Sequence, residues 1–487
     1  MAFLSAYCAH MASEIKHIAD FPDKLNPMVV KELRQGLRGV SFVILFIAIQ
    51  AFLCLILLST AAAASYANAG ALISRTIFFF FAVAVLVVQP LRGISALSGE
   101  IKGNTIDLLC MTRLSAWRIT FGKWCSIMSQ SALILTAIIP YLILRYFFGD
   151  MQLFSELLLL LSVFLLAAVM TAFTVGFSAL NSIILRVLLP LCVAFGLLCF
   201  TWIFLVSDGR HLFPDIVRAL TLRDGQDKLV YLAFVIGCVY SAWMLLDLGT
   251  SMIAPIAENR ATMRRLVSAA LIAAILVSFY LADAPYEAML MIGLVLCLPV
   301  SIISVTESHQ LVPPVTAPFV RKGVFGRLAG RILYPGWATG LLFVLMLYGL
   351  LTGMIFLYQS QGKTVDHEFI TTINSVFASM MMSLVLVQLF AKQREKRFQY
   401  FLLFVISQFL IITVIYAAEE FNNKLHIVQY FCWIPASFVQ LLDGPVFTTK
   451  GVTTISYINM ALYSFLSLAM TGSAWKHIRE TEKSLTQ

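Results

Sequence analysis

Few residues in this 487-residue chain are placed to do chemistry. The run Gly362-Lys363-Thr364 ends like a phosphate-binding loop, whose amides and lysine cradle a nucleotide. That loop needs glycine five residues before Gly362, and Leu357 stands there, so the phosphate reading fails. "DHEF" (366–369) opens like a zinc-protease helix, but one turn after His367 comes Thr371, and no second imidazole completes a metal site. The nine cysteines form no CxxC. Cys54, Cys192, Cys199, Cys238 and Cys297 lie in apolar runs and read as small buried hydrophobes. Asp247, in "SAWMLLDLGTSMIAP", is the main ionisable group inside an apolar run. An acid in a membrane span is a functional candidate by default. It sits about two helical turns from the run's end, where a hydrogen-bonded or water-reached structural acid fits better, and a proton relay needs more groups than this one. No catalytic residue, metal or cofactor is therefore expected in this chain.

The elements around these residues are apolar. The chain is 60% hydrophobic and 12% charged, with a mean hydropathy of +0.90, whereas soluble domains carry about 25% charged residues. Its apolar runs are long enough to cross a ~30 Å hydrocarbon core as helices. The expected fold is an all-α polytopic membrane protein of about 12 transmembrane helices. Spans are expected near 40–64, 76–91, 124–144, 157–180, 187–206, 230–254, 267–282, 288–305, 336–357, 370–390, 399–417 and 454–474. The polar start (1–27) has no basic region followed by an apolar core, so no cleaved signal is expected. With an N-in, C-in arrangement, 25 of the 34 lysines and arginines fall in inner segments and 9 in outer ones, while the acids divide 11 to 13. The net charge of +9 thus reads as the positive-inside signal of a multi-pass plasma (bacterial inner) membrane protein. Nucleic-acid binding is not needed to explain it.

Order and spacing suggest two halves. Residues 1–39 form a cytoplasmic N-terminus with an amphipathic entry helix. Residues 40–255 hold six spans, an inner loop at 92–123 and an outer re-entrant element at 207–228. Residues 256–487 repeat that order, with a loop at 306–335, an outer re-entrant element at 425–444 and a cytoplasmic tail at 475–487. "QPLRGISALSGE" (89–100) aligns loosely with "LPVSIISVTE" (298–307), which matches Glu100 with Glu307. The stretch 425–442 contains Gln429, Trp433, Pro435 and Gln440, which suit an interfacial or re-entrant element better than a thirteenth span.

The inner loop "SGEIKGNTIDLLCMTRLSAWRITFGKW" (98–124) carries a small helix of its own. Asn104 can cap it, and Asp107 falls in its first turn, at the positive end of the dipole. Ile106, Leu109 and Cys110 share a stripe that Leu108 and Met111 broaden, and Arg113 falls in the last turn. Two readings stay open. The helix lies on the lipid surface, anchored by Arg113, Trp117 and Lys123, or it is an oily knob that docks a soluble partner.

This segment resembles the one after the second span of type-2 ABC transporter permeases. Gly99, Glu100, Gly103, Asn104, Ile106, Asp107, Leu108, Leu109, Leu114, Ser115, Gly122 and Lys123 stand at matching positions. "NPMVVKELRQGLRG" (26–39) is similar to that family's entry helix, with Pro27 at the first helical position. Leu25, Met28, Val29, Leu33 and Leu37 form its oily side, and Lys31, Arg34 and Arg38 lie opposite, with Glu32 between. The likeness covers the first 255 residues by motif and the rest by topology. It departs from the pattern at 308–330, where Pro313, Pro314 and Pro318 forbid one continuous helix and no Leu-Leu knob follows Glu307.

The resemblance implies a permease subunit that exports a lipophilic or amphipathic substrate by alternating access. Two cytosolic ATPase subunits would hold the ATP and Mg and press on Glu100, Asn104, Asp107, Leu108, Leu109 and Arg113. The pore would be a homodimer or an internal pseudo-dimer in contact with membrane lipid. The alternative is a non-pumping scaffold or lipid scramblase that retains the fold.

Overall fold

The computed structural model describes residues 27–62, 69–103, 115–146, 152–180, 182–202, 217–218, 220–254, 259–307, 311–391, 396–421, 428–438, 441 and 448–484. Among these residues the protein is all helix, with no strand. In lipid every backbone polar group needs an internal partner, which a helix supplies from its own ladder. The helices are α1 (Pro27–Leu37), α2 (Val40–Ala62), α3 (Ala69–Ala82), α4 (Ala116–Tyr146), α5 (Leu153–Phe177), α6 (Leu189–Trp202), α7 (Gly225–Ile253) and α8 (Ala261–Leu281). There follow α9 (Tyr286–Thr306), α10 (Pro313–Val320), α11 (Gly323–Leu333), α12 (Trp337–Ser360), α13 (His367–Phe390), α14 (Arg397–Phe421), α15 (Thr449–Ala469) and α16 (Gly472–Ser484).

Ten helices among the described residues are long and apolar enough to cross a membrane. The count rises to eleven if the pair α1 and α2, bent by 55°, makes one span. This is fewer than the twelve expected. The difference lies at the first and fifth expected spans. Near 40–64 the chain forms the second arm of that bent pair. Near 187–206 the apolar stretch that can be followed among the described residues is Ile184–Cys199, within the helix that ends at Trp202, and 203–206 lie outside the described residues. The protein is thus a multi-pass membrane protein by helix length and hydropathy, and its outward-facing Ile44, Ile47, Leu55, Leu403, Phe409 and Leu410 fit a lipid boundary.

Two helices change pitch. α3 continues through a π-helical stretch, Val83–Val88, and a 3-10 turn, Arg92–Ser95, to a short helix at Ser98–Lys102. A second π stretch, Ile184–Leu188, leads into α6. Both end two residues before a proline, Pro90 and Pro190. A proline ring collides with the carbonyl a turn earlier and offers no N–H, so a widened turn ahead of it relieves both problems.

Two close helix crossings lock the bundle. A Cβ on Gly176 of α5 would lie 2.2 Å from the Leu245 carbonyl oxygen of α7, and one on Gly340 of α12 would lie 1.9 Å from that of Ser304 on α9. Small residues let backbones approach where lipid gives no hydrophobic drive to associate. One large core joins α5 and α7 to α8, α9, α12, α13, α14 and α15, with Met244, Phe279, Leu296, Phe343, Phe377 and Phe401 at its centre. A second core, including Leu53, Phe81, Val85 and Ile134, holds α2 to α5 together.

Two segments pack in ways that hydropathy does not display. The described part of 425–444 runs through 3-10 turns at Val428–Phe431 and Pro435–Ser437. Asn459 of α15 donates to the Cys432 carbonyl at 2.8 Å, and Tyr463 Oη donates to that of Trp433 at 2.7 Å. Tyr463 lies fourteen residues into α15, roughly 20 Å along it, so this irregular backbone reaches well along the bundle, with Ile434–Ser437 buried and Tyr430 and Trp433 exposed. The tail forms α16, whose Ile478 and Trp475 pack on Leu311, Phe319 and Tyr334, while Arg331 pairs with Glu482 at 3.1 Å.

Candidate functional site

Charged groups gather at the end of the bundle that holds α1, the start of α4, the α7–α8 turn and the α9–α12 connection. The N-terminal part builds one cluster. Lys123, on the second turn of α4, donates to Glu32 of α1 at 3.1 Å and to Glu100 at 3.2 Å. Ser126 Oγ donates to the Glu32 carbonyl at 2.8 Å, which fixes α1 along α4. The close approach depends on Gly122, where a Cβ would meet Met28 at 3.1 Å. Met28 and Val29 are buried, and Lys31 and Arg34 are exposed. Beside this cluster Arg92 donates to Gln130 and Gln89.

The C-terminal part builds a second, drier cluster around Glu307, the residue that ends α9. Glu307 accepts from Arg264 Nη2 at 3.2 Å, from Arg265 Nη2 at 2.5 Å and from the Gly336 amide at 3.1 Å. Gly336 holds φ at 125°, a conformation open to glycine, and so presents that amide. Arg265 also donates to the carbonyls of Ile332, Tyr334 and Gly336 and to Thr339 Oγ1, and its guanidinium lies 5.8 Å from the Phe343 ring centroid. Asp247 of α7 joins the same network. It accepts from Arg260 at 2.5 Å, and Arg264 Nη1 stands 3.1 Å from its second oxygen, an ion pair without hydrogen-bond alignment.

Arg260 reaches from the second cluster to α4, the helix that carries Lys123. Its guanidinium lies 5.7 Å from the centroid of Trp117, at the start of α4. A series of contacts runs from Trp117, six residues before Lys123 on α4, to Arg260, Asp247, Arg264, Glu307 and Arg265. It ends on the α11–α12 junction. There burial pushes the Tyr334 hydroxyl up to about 12, helped by Glu482 and opposed by Arg331 and Arg327, so it stays neutral inside the seat of α16.

Of the residues singled out from sequence, Glu32 and Glu100 enter the first cluster and Asp247 the second, and Lys31 and Arg34 are exposed on α1. Asn104, Asp107, Leu108, Leu109 and Arg113 lie outside the described residues. Lys123, a headgroup anchor in the lipid-surface reading, is instead buried between two carboxylates. Arg264 and Arg265 precede the span expected near 267–282, but α8 begins at Ala261, so its first turns take them into the protein. A signal for them existed. Cations in the first turns of a helix and an anion at the end of another both oppose the helix dipole, and here the misplaced charges satisfy each other. Among the described residues no group of three or more His, Cys, Asp or Glu could hold a metal ion.

No protein family, curated protein or solved structure matches this chain.

Proposed function

We propose that this chain is the membrane-spanning permease subunit of an ABC transporter. It exports a lipophilic or amphipathic substrate by alternating access, and separate ATPase subunits, two per transporter, hold the ATP and Mg. One observation carries the reading. Glu32, Glu100 and the Gly122–Lys123 pair come from the two stretches that resemble type-2 permeases, and they meet in one ion-paired cluster. The loop at 104–114 leaves from the Glu100 helix and returns into α4 seven residues before Lys123. A push on that loop would reach both arms at once and pass by way of Trp117 and Arg260 to Asp247. An N-in, C-in topology is supported by α1 and α16 packing at the same end of the bundle. Glu307 ties the end of α9 to the starts of α8 and α12 much as Glu100 ties its own short helix to the start of α4, which favours an internal pseudo-dimer over a homodimer.

The test is purification of the tagged full chain from its native membrane with its partners. A co-purifying ATPase with a phosphate-binding loop, in two copies per permease chain, supports the reading. The decisive variant changes Leu108 and Leu109 together to alanine, which keeps helix propensity and removes the knob. Each buried leucine is worth roughly 1.5–3 kcal/mol, so ATPase association should fall by about two to four powers of ten. Normal association at unchanged expression would remove this loop as the coupling element. Nucleotide-independent lipid movement by the purified chain, with no ATPase partner, would favour the scramblase alternative.

A further inference from the structure

The connection between α9 and α12 carries an apolar face that no described residue covers. On α11, Val324, Phe325 and Leu328 are 78%, 89% and 63% exposed. The opposite side of the helix is fixed by two glycines. A Cβ on Gly326 would lie 2.2 Å from the Phe319 carbonyl oxygen, and one on Gly330 would lie 2.5 Å from the Tyr334 ring. The helix therefore has one way to seat, and that seating turns Val324 and Leu328, a turn apart, and Phe325 beside them outward together. The tail does not reach them, since α16 packs on Leu311, Phe319 and Tyr334.

We infer that α11 is a wedge for an acidic phospholipid surface. Its charge is one-signed: from 308 to 335 the chain has Arg321, Lys322, Arg327 and Arg331 and no acid at all. Arg321 and Lys322 are exposed at the helix's N-terminal end, next to Val324 and Phe325. Basic residues flanking bulky apolar ones are what an element needs to lie in the headgroup layer with its oily face in the acyl boundary. Its position agrees. α9 and α12, both long enough to span, flank the connection, and α11 touches α8, whose first turns expose Met263 and Leu266. The oily face of α11 is thus an extension of a lipid-facing surface. The contrast with α1 is direct: that amphipathic helix spends Met28 and Val29 on contacts with α4. The inference stands whether or not the chain serves a pump.

The test places a photoreactive benzoylphenylalanine at Phe325 in the full chain, a site whose exposure leaves room for it. The protein is reconstituted in phosphatidylcholine vesicles holding a minority of phosphatidylglycerol, irradiated, and its adducts are weighed. The expected product is a phospholipid adduct in which phosphatidylglycerol exceeds its share of the vesicle by roughly fivefold, the factor that corresponds to about 1 kcal/mol per cation near an anionic surface. The variant Arg321→Gln with Lys322→Gln should return that ratio toward the vesicle composition, as should high salt. The same probe at Glu480, an exposed polar site on α16, should give no lipid adduct. Polypeptide adducts alone at 325 would overturn the inference in favour of a protein partner. Absence of any adduct would place the face in water, and lipid adducts without enrichment would remove the acidic lipid from the proposal.

Discussion

Glu100 and Glu307 each stand where a long helix reaches the charged end of the bundle, and they hold their neighbours by opposite means. Around Glu100 one cation serves two acids. The Lys123, Glu32 and Glu100 side chains are 8%, 16% and 19% exposed, so water reaches the acids and screens the pairing. Around Glu307 two arginines and a backbone amide serve one acid, with Arg265 and Glu307 at 0% and 3%. A lysine is a rotatable point charge, whereas a guanidinium is a planar fork that fixes geometry. The first arrangement can break and remake as α1, α3 and α4 shift. The second is a fixed joint: it lies where α7 and α8 meet α9 and α12, and Arg265 also donates to three carbonyls and to Thr339. In the proposed transporter the N-terminal cluster would be the moving input and the C-terminal cluster the frame that receives it.

The largest effect should come from unpairing the dry joint. Glu307→Leu leaves two buried arginines facing each other, and removal of one partner from a buried pair costs about 3–5 kcal/mol. Thermal unfolding in detergent should show a steep loss of folded protein. Arg265→Met should be similarly severe, since it also abandons three carbonyls and Thr339. The double variant should be less damaged than the sum of the two, because no lone charge then remains of that pair. Full additivity would mean that Arg265 and Glu307 act separately, and the contrast between the two clusters would fail.

Lys123→Met should cost less than the range of about 1.5–3 kcal/mol for charge-assisted hydrogen bonds, because water reaches Glu32 and Glu100. Its signature is salt dependence. The wild-type margin over the variant should shrink as ionic strength rises, whereas the margin of wild type over Glu307→Leu should hardly move. Equal salt dependence in both would erase the distinction between a wet cluster and a dry one.

How much of this was legible in the sequence follows from what hydropathy measures. Runs such as 153–177 and 286–306 declare themselves as helices because nothing else can bury them. Glu32, Glu100 and Lys123 were visible through motif likeness, although neither their meeting nor the burial of Lys123 was. Arg264 and Arg265 looked like loop charge because the apolar run begins after them; a hydropathy reading has no access to a partner 42 residues away on another helix. The stretch 428–438 is set apart by Gln429, Trp433 and Pro435, but its placement depends on Asn459 and Tyr463, which read as ordinary residues of a span. The tail looked like a soluble end. Its docking rests on Ile478 and Trp475 finding Tyr334, a contact between segments about 140 residues apart.

The smallest effect, and the finest test, concerns the contact between Arg260 and Trp117 of α4, the helix that also carries Lys123. Arg260 is partly exposed and pairs with Asp247 on one side while it faces Trp117 on the other. A cation over an aromatic face at a partly exposed site is worth roughly 0.5–1 kcal/mol. Trp117→Leu keeps apolar bulk and removes the ring face; Arg260→Gln keeps length and removes the charge. Each alone carries other losses, since Trp117 also stacks on Phe121 with centroids 6.0 Å apart, and Asp247 keeps only Arg264 when Arg260 is gone. The coupling energy of the double-mutant cycle isolates the pair. It should lie near the stated range in stability measurements on the detergent-solubilised chain. The same cycle between Lys123→Met and Arg260→Gln, whose side chains make no direct contact, reports whether anything passes along α4. Coupling between Lys123 and Arg260 that disappears in the Trp117→Leu background would show that the wet cluster reaches the dry one through this ring. Coupling that survives loss of the ring would route it through the shared core of α4, α5 and α7 instead, and zero coupling would leave the two clusters as independent fasteners of the same bundle.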